Sequence, residues 1–144
     1  MQPLLRQPGL APIAADIAWT REAFRDLLRI RASSRLFRMP RADDIRQRLR
    51  FHDVGEKQNP VVIAGHLNGA SYDGANFREM LYLVNVDKQA HTLQLAAERG
   101  KRYLLHPVHR ASGSADKRVH ESRYDAASGA FTVPARTAVV YVVE

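Results

Sequence analysis

The hydrophobic pattern of this chain changes period near residue 40, and this change limits what the chain can fold into. Between residues 16 and 32 apolar side chains recur every three to four residues, as on one side of an α-helix. From residue 46 onward they alternate with polar residues, as in strands with one covered face. One helix followed by an almost purely β chain is therefore the first expectation.

The predicted helix has an unusually wide apolar side. Asp16 is expected to cap it, and the Ser33-Ser34 pair is expected to end it near Ala32, because hydroxyl groups compete for backbone hydrogen bonds. The apolar side takes up nearly half of the circumference and includes Ile17, Trp19, Ala23, Phe24, Leu27, Leu28 and Ile30. Such a face is wider than packing on one sheet requires, so we expect part of it to contact something outside this chain or a second copy of the helix.

Seven or eight short strands are predicted after residue 40. They are expected near residues 48–52, 60–67, 80–86, 91–95, 103–108, 119–124, 131–133 and 137–143. The run at 80–86 is apolar enough for a central strand. Frequent turn signals between the runs favour an antiparallel β-sandwich of Greek-key type, mainly β, preceded by one N-terminal α-helix.

The domain division follows from the same pattern. Residues 1–40 are predicted to be an irregular, proline-rich lead-in plus the helix, and residues 41–144 the sandwich. Within the first 19 residues three prolines interrupt the apolar positions, so we expect no signal peptide there. No run approaches the roughly 20 apolar residues of a membrane span, so no membrane partner is expected. The composition assigns no compartment.

Charge and cysteine content exclude some chemistry. The chain has no cysteine, so disulfide and thiolate chemistry are impossible. Its net charge of +7 is concentrated in the first 50 residues, which hold 11 arginines against 5 acidic residues. This distribution raises the alternative of nucleic-acid binding, but a solvated arginine face on a helix is the simpler explanation and no nucleic-acid partner is expected.

Candidate catalytic and metal groups are weak. His106 and His109 would face opposite sides of a strand, which argues against joint metal ligation, and no metal or cofactor is predicted. Asp43-Asp44 is interpreted as a turn or capping pair rather than as a catalytic pair. No nucleophile-elbow or phosphate-loop motif occurs, so no catalytic residue is assigned. Tyr72 and Phe77 are the aromatic pair that looks free to stack on a sugar ring, and they are the candidate carbohydrate-binding residues.

Three separated segments resemble the C-terminal end of bacterial pullulanase-type α-1,6-glucosidases, the starch-debranching enzymes of the α-amylase superfamily. LLRIRASSRLF at 27–37 is similar to a family motif, with Arg35 where the family commonly has proline. RLRFHDVG at 48–55 is similar to a second motif, with Asp53 where the family has asparagine. LHPVH at 105–109 and the closing segment at 131–137 also match, so the resemblance extends from about Asp16 to Val143.

The resemblance implies a role for the chain. The helix is expected to be the last helix of a catalytic (β/α)8 barrel, and the β part the sandwich that follows and stabilises that barrel. The parent is expected to hydrolyse α-1,6-glucosidic branch points with two carboxylates, while this chain is expected to be non-catalytic. Barrel-interface residues are expected to be the six residues Phe24, Leu27, Leu28, Arg31, Leu36 and Phe37. Partners are then that barrel, an α-glucan as an alternative through a carbohydrate-binding role, and a second copy through the uncovered helix.

Overall fold

The structure, a computed structural model, describes residues 9–144. Part of the predicted lead-in, residues 1–8, lies outside the described residues. Helix α1 spans Ala14–Ala32, and a 3-10 turn follows at Arg35–Arg38. Two short helices come later, α2 at Ala42–Arg48 and α3 at Pro107–Arg110, and further 3-10 turns lie at Ala96–Glu98 and Lys117–Glu121. None of the helices in the described part is long and apolar enough to cross a membrane.

Eight strands form two antiparallel sheets. The strands are β1 (Leu49–His52), β2 (Val62–Asn68), β3 (Glu79–Asn85), β4 (His91–Gln94), β5 (Leu104–Leu105), β6 (Arg123–Asp125), β7 (Ala130–Val133) and β8 (Thr137–Val143). The large sheet has the order β1-β2-β3-β8-β5, and the small sheet has the order β4-β7-β6. The predicted mainly β sandwich with one N-terminal helix is confirmed, and β3 is central, between β2 and β8.

The two faces of the large sheet carry two separate cores. Leu81 and Leu83 of β3 face the small sheet and pack against Phe131 and Val133 of β7 in the first core. Met80 and Tyr82, which alternate with them along β3, face the opposite side and belong to the second core. In the second core, Ile30 at the end of α1 and Leu36 of the 3-10 turn cover Leu67, Val140 and Val142. The helix therefore docks on its own sandwich.

The helix ends as predicted but begins differently. Ile13 occupies the N-cap position, and its backbone N–H donates to Asp16 Oδ2 at 3.0 Å, so Asp16 acts three residues inside the helix rather than at its cap. At the other end the Ser33 hydroxyl donates to the Ile30 carbonyl at 2.7 Å. Ser34 then accepts a hydrogen bond from the Leu36 N–H at 3.1 Å and begins the 3-10 turn.

Some local features differ from the predictions. The sequence pattern did not indicate α2, which precedes β1, and the strand expected near residues 103–108 is reduced to Leu104–Leu105 because α3 begins at Pro107. Residues 119–124 were expected to be one strand, but a 3-10 turn occupies Lys117–Glu121 and only Arg123–Asp125 pairs in a sheet. In β1 Leu49 and His52 are half-buried, whereas Phe51 is 52% exposed, so its apolar residues do not share one covered face.

Candidate functional site

One face of helix α1 packs against the sandwich. Trp19, Asp26 and Ile30 lie on this inner face, with spacings of seven and four residues. The Trp19 indole N–H donates to the Ala115 carbonyl at 3.2 Å, and the Ala115 N–H donates to Asp26 Oδ2 at 2.9 Å. The helix thus forms hydrogen bonds with both the carbonyl and the N–H of Ala115. Asp26 is buried, although a charged residue on a helix ordinarily faces solvent.

The other apolar face of α1 contacts nothing in the described chain that would bury it. Ile17 and Phe24 are each 59% exposed, Leu28 is 46% exposed and Leu27 is 40% exposed. Arg31 is also exposed and lies at the C-terminal end of this face, where its charge is favourable to the helix dipole. We call these five residues the outer face of α1. Four of them are among the six residues predicted to contact a catalytic barrel.

The other two predicted interface residues belong to the chain's own second core. Leu36 is 2% exposed and fully enclosed, so its side chain is not available to a partner. Phe37 is half-buried against the same core, with its ring centroid 6.1 Å from that of Tyr82. The reason is that the 3-10 turn folds back over the large sheet directly after the helix ends. For Leu36 the interface prediction is therefore corrected.

Tyr72 and Phe77 do not stand free. Both are half-buried against the second core. The Arg48 guanidinium lies over the Tyr72 ring, 4.6 Å from its centroid. Phe77 packs edge-on against the His106 ring at a centroid distance of 5.4 Å. The loop that carries these rings folds onto the end of α1, and their carbohydrate-binding role stays a prediction.

The two candidate histidines act separately. His106 precedes α3 rather than lying in a strand, and its Nε2 is 2.9 Å from the Ser33 hydroxyl at the end of α1. His109 is buried one turn later. Burial lowers the pKa of each histidine to about 4, so both are neutral at pH 7. Asp43 and Asp44 lie in the first turn of α2, as a helix-start pair would, and Asp43 pairs with Arg46.

The sequence analysis missed a polar cluster at one end of the first core. Glu98, 2% exposed, is its centre and lies in the 3-10 turn before β5. Glu98 Oε2 is 2.7 Å from Lys101 Nζ and accepts a hydrogen bond from the Tyr103 hydroxyl at 2.7 Å. Glu98 Oε1 is 2.8 Å from His52 Nε2. The HD pair within RLRFHDVG was the available signal, but the glutamate lies 46 residues away from His52 in the sequence.

Glu79 joins this cluster from β3. Glu79 Oε2 is 2.5 Å from Lys101 Nζ and 2.7 Å from His66 Nε2. Burial alone would raise the pKa of Glu79, but the hydrogen bonds from Lys101 and His66 outweigh it and lower that pKa. Burial would likewise raise the pKa of Glu98, yet the hydrogen bonds from His52, Lys101 and Tyr103 lower it to about 2.

Ion pairs and hydrogen bonds hold the cluster together. Among the described residues, His66, Glu79 and Glu98 each place one possible ligand atom within 4.8 Å of the others. This is close enough for the three to bind one metal ion together. The Lys101 ammonium, however, already contacts both carboxylates and supplies the positive charge. Two glutamates with low pKa values cannot act as a general acid at neutral pH. The cluster therefore joins β1, β2, β3 and the turn before β5.

Taken together, a two-sheet sandwich and a docked helix with an uncovered apolar face define a β-sandwich domain that presents a surface for a further partner. The comparisons agree with this class. The profile of the family described as "Alpha-1,6-glucosidases, pullulanase-type, C-terminal" matches residues 1–144. The chain belongs to this family. The residues that the structure describes contain no (β/α)8 barrel.

A curated relative is similar in sequence, and two solved structures share the fold. "Pullulanase 1, chloroplastic" from Arabidopsis thaliana is 36% identical over 149 residues, which cover 99% of this chain and 15% of the relative. PulA from Klebsiella oxytoca superposes with a TM-score of 0.80 at 18% identity, over 92% of this chain and 12% of that chain. A maltotriose complex of a pullulanase mutant from Paenibacillus barengoltzii gives a TM-score of 0.60 at 23% identity, over 83% and 16%.

These figures place the chain within its relatives. It spans about one seventh of the length of the curated pullulanase that it matches. Both solved structures are less than 25% identical to this chain, so these matches show a shared fold. The chain is thus a C-terminal domain of a pullulanase-type enzyme.

Proposed function

We propose that this chain is a non-catalytic domain that covers and stabilises the catalytic (β/α)8 barrel of a pullulanase-type enzyme, with α1 as the last helix of that barrel. The observation that supports the proposal is the outer face of α1. A helix that is anchored on one side and leaves Ile17 and Phe24 59% exposed on the other needs a second partner. The family assignment and the small share of the relative that the chain covers supply the identity of that partner.

The substrate belongs to the proposed parent rather than to this domain. The parent is proposed to hydrolyse α-1,6-glucosidic branch points in starch-like glucans by a retaining mechanism with two carboxylates. Within the described residues, the buried carboxylates are tied to cations: Glu98 to Lys101 and Asp26 to Arg29. We therefore place the reacting carboxylates in the barrel and assign this chain a structural role.

A chimera tests the proposal. The matching segment of the Arabidopsis pullulanase is replaced with this chain, and the rate of heat inactivation of pullulan hydrolysis is measured. The double substitution Phe24→Asp and Leu28→Asp places two charges on the outer face of α1. If that face packs on the barrel, the doubly substituted chimera inactivates at least tenfold faster, because two unpaired charges become buried.

The matched control is Val54→Asp, which places a charge at an exposed apolar position between β1 and β2. This control should inactivate at the unsubstituted rate. Equal inactivation of all three chimeras would refute the interface. A second readout uses the chain alone: light scattering at increasing concentration should show self-association that the double substitution abolishes and Val54→Asp preserves.

A further inference from the structure

Helix α1 leaves part of the large sheet uncovered on the side where it docks. The register of β1, β2, β3 and β8 places three apolar rows on this side, which are Leu49-Leu67-Met80-Val142, Phe51-Gly65-Tyr82-Val140 and Ile63-Val84-Ala138. The first row and Val140 pack in the second core with Ile30 and Leu36. The third row lies outside that core, with Phe51 next to it and Val86 just past the end of β3. We call the uncovered residues the sheet strip: Phe51, Ile63, Val84, Val86 and Ala138.

The sheet strip is open to solvent. Val86 is 64% exposed, Ile63 is 53% exposed and Phe51 is 52% exposed, while the other two residues are half-buried. Helix α1 does not cover the strip because it packs mainly on the 3-10 turn that follows it and on α3. A cavity of about 420 Å³ remains between the helix and the β3 end of the strip. The strip is therefore a contiguous apolar surface rather than a few scattered side chains.

The small sheet shows how a solvent-facing sheet is composed in the same chain. Its outward positions are polar, among them Thr92 and Gln94 of β4 and Thr132 of β7. The apolar residues of these strands face the first core. The large sheet instead carries apolar residues on both sides, which is the pattern of a sheet that is covered on both faces. The sheet strip thus has the composition of a covered surface, and no element of the described residues covers it.

We propose that the sheet strip is a second contact surface for the catalytic barrel of the parent chain, and that apolar side chains of the barrel cover it. This inference rests on the proposed function and adds to it a surface on the sheet, separate from the outer face of α1. The barrel is then held by the sandwich directly as well as through its last helix.

The route of the parent chain favours the barrel as the partner. The chain covers 15% of the curated pullulanase and belongs to a family of C-terminal domains, so most of such a parent precedes it. The preceding part connects to this domain through the N-terminal end of α1. Trp19 and Ala23, in the first half of α1, line the same cavity as Val84 and Val86. The parent chain therefore enters beside the sheet strip, where the domain that precedes α1 is placed to cover it.

Single cysteines test the contact. The chain has no cysteine of its own, so an introduced thiol reports on one position. Ile63→Cys lies on the sheet strip, Phe24→Cys lies on the outer face of α1, and Gln94→Cys lies on the solvent-facing side of the small sheet. The rate of alkylation by iodoacetamide is measured by mass spectrometry of the peptide that carries the cysteine. Each variant is measured in the isolated chain and in the Arabidopsis chimera that hydrolyses pullulan.

The expected result is protection of the strip only in the chimera. In the isolated chain Ile63→Cys should react about as fast as Gln94→Cys, because both positions are exposed. In the chimera Ile63→Cys should react at least about tenfold more slowly, because a covered thiol reacts only when the contact opens. Gln94→Cys should react equally fast in both proteins.

A charge on the sheet strip gives a second readout. Ile63→Lys should make the chimera lose pullulan hydrolysis on heating at least about tenfold faster, because the ammonium is buried without a partner. Gln94→Lys is the matched control on the small sheet and should leave that rate unchanged. The two lysine variants should unfold at similar temperatures as isolated chains, since both positions are exposed there.

The outcomes separate this inference from the proposed function. If Phe24→Cys is protected in the chimera and Ile63→Cys is not, the sheet strip is overturned and the contact through α1 stands. If Ile63→Cys is protected and Phe24→Cys is not, the strip stands and the outer face of α1 is overturned. If neither is protected, both contacts fall. Protection of Ile63→Cys in the isolated chain that increases with concentration assigns the strip to a second copy and also overturns the inference.

Discussion

Glu98 shows at the scale of one residue how a buried charge is stabilised in this fold. Three side chains from different parts of the chain, His52, Lys101 and Tyr103, contact its carboxylate. Removing the charge leaves Lys101 with one carboxylate partner fewer in a partly dry site. We expect Glu98→Gln to lower the free energy of unfolding at pH 7 by about 3 kcal/mol, measured by urea denaturation. Glu121→Gln, at an exposed position, is the control and should change it by less than about 0.5 kcal/mol.

The same residue predicts a pH dependence. The pKa of Glu98 is about 2 in the folded chain, against an ordinary value of 4.5 that describes the unfolded chain. The stabilisation is therefore complete above pH 4.5 and is lost as pH falls toward 2, because the unfolded state binds the proton first. The stability difference between the unsubstituted chain and Glu98→Gln should shrink over this range. A difference that stays constant from pH 5 to about pH 2 would contradict the low pKa.

Arg35 stands where the family motif commonly has proline, and its backbone shows what this difference contributes. Its backbone N–H donates to the Gly74 carbonyl at 2.9 Å, a bond that the family's proline could not make. We expect Arg35→Pro to cost about 1 kcal/mol of unfolding free energy, measured by thermal unfolding.

Arg35→Ala separates the backbone bond from the ion pair. It keeps the N–H and removes only the contact with Asp73, whose side chain is 93% exposed, so it should cost less than the proline substitution. An equal cost for both substitutions would assign the effect to the side chain instead.

At the scale of the element, α1 is a helix with two apolar faces of different purpose. Ile30 is 3% exposed in the second core, whereas Phe24 is 59% exposed on the outer face. We expect Ile30→Ala to lower the free energy of unfolding of the isolated chain by about 3 kcal/mol, since it leaves a cavity. Phe24→Ala should change it by less than about 0.5 kcal/mol. Chemical denaturation followed by circular dichroism measures both. If Phe24→Ala costs as much as Ile30→Ala, the outer face is covered within the chain or by a second copy.

The periodicity of α1 indicated the helix and its excess of apolar surface, yet it could not divide that surface. Trp19 and Phe24 are equally apolar in the sequence, but one hydrogen-bonds the loop at Ala115 and the other faces outward. Asp26 carries a charge and is nevertheless buried, because a backbone N–H 89 residues away in the sequence pairs with it. Pairing at such a separation leaves no trace in local pattern.

At the scale of the whole molecule, the large sheet joins the helix to the sandwich. Its two faces carry the two cores, and β3 and β8 contribute side chains to both. The predicted domain boundary at residue 40 lies between α1 and the sandwich in the sequence. That it separates two domains stays a prediction. We expect a single cooperative unfolding transition, with Trp19 fluorescence and far-ultraviolet circular dichroism giving the same midpoint in urea. An earlier transition in Trp19 fluorescence would show instead that residues 1–40 are an independent unit.

The sequence by itself determined the elements that local physics dictates. Alternation identified strands β2, β3, β7 and β8 to within a residue or two, helical spacing identified α1, and the Ser33-Ser34 pair marked its end. Only the tertiary structure decided which faces are covered. It turned Phe51 outward and His52 inward toward Glu98, enclosed Leu36, and left the outer face of α1 bare. The physical reason is that burial depends on which elements pack against each other across long separations, whereas periodicity reports only the geometry of one element at a time.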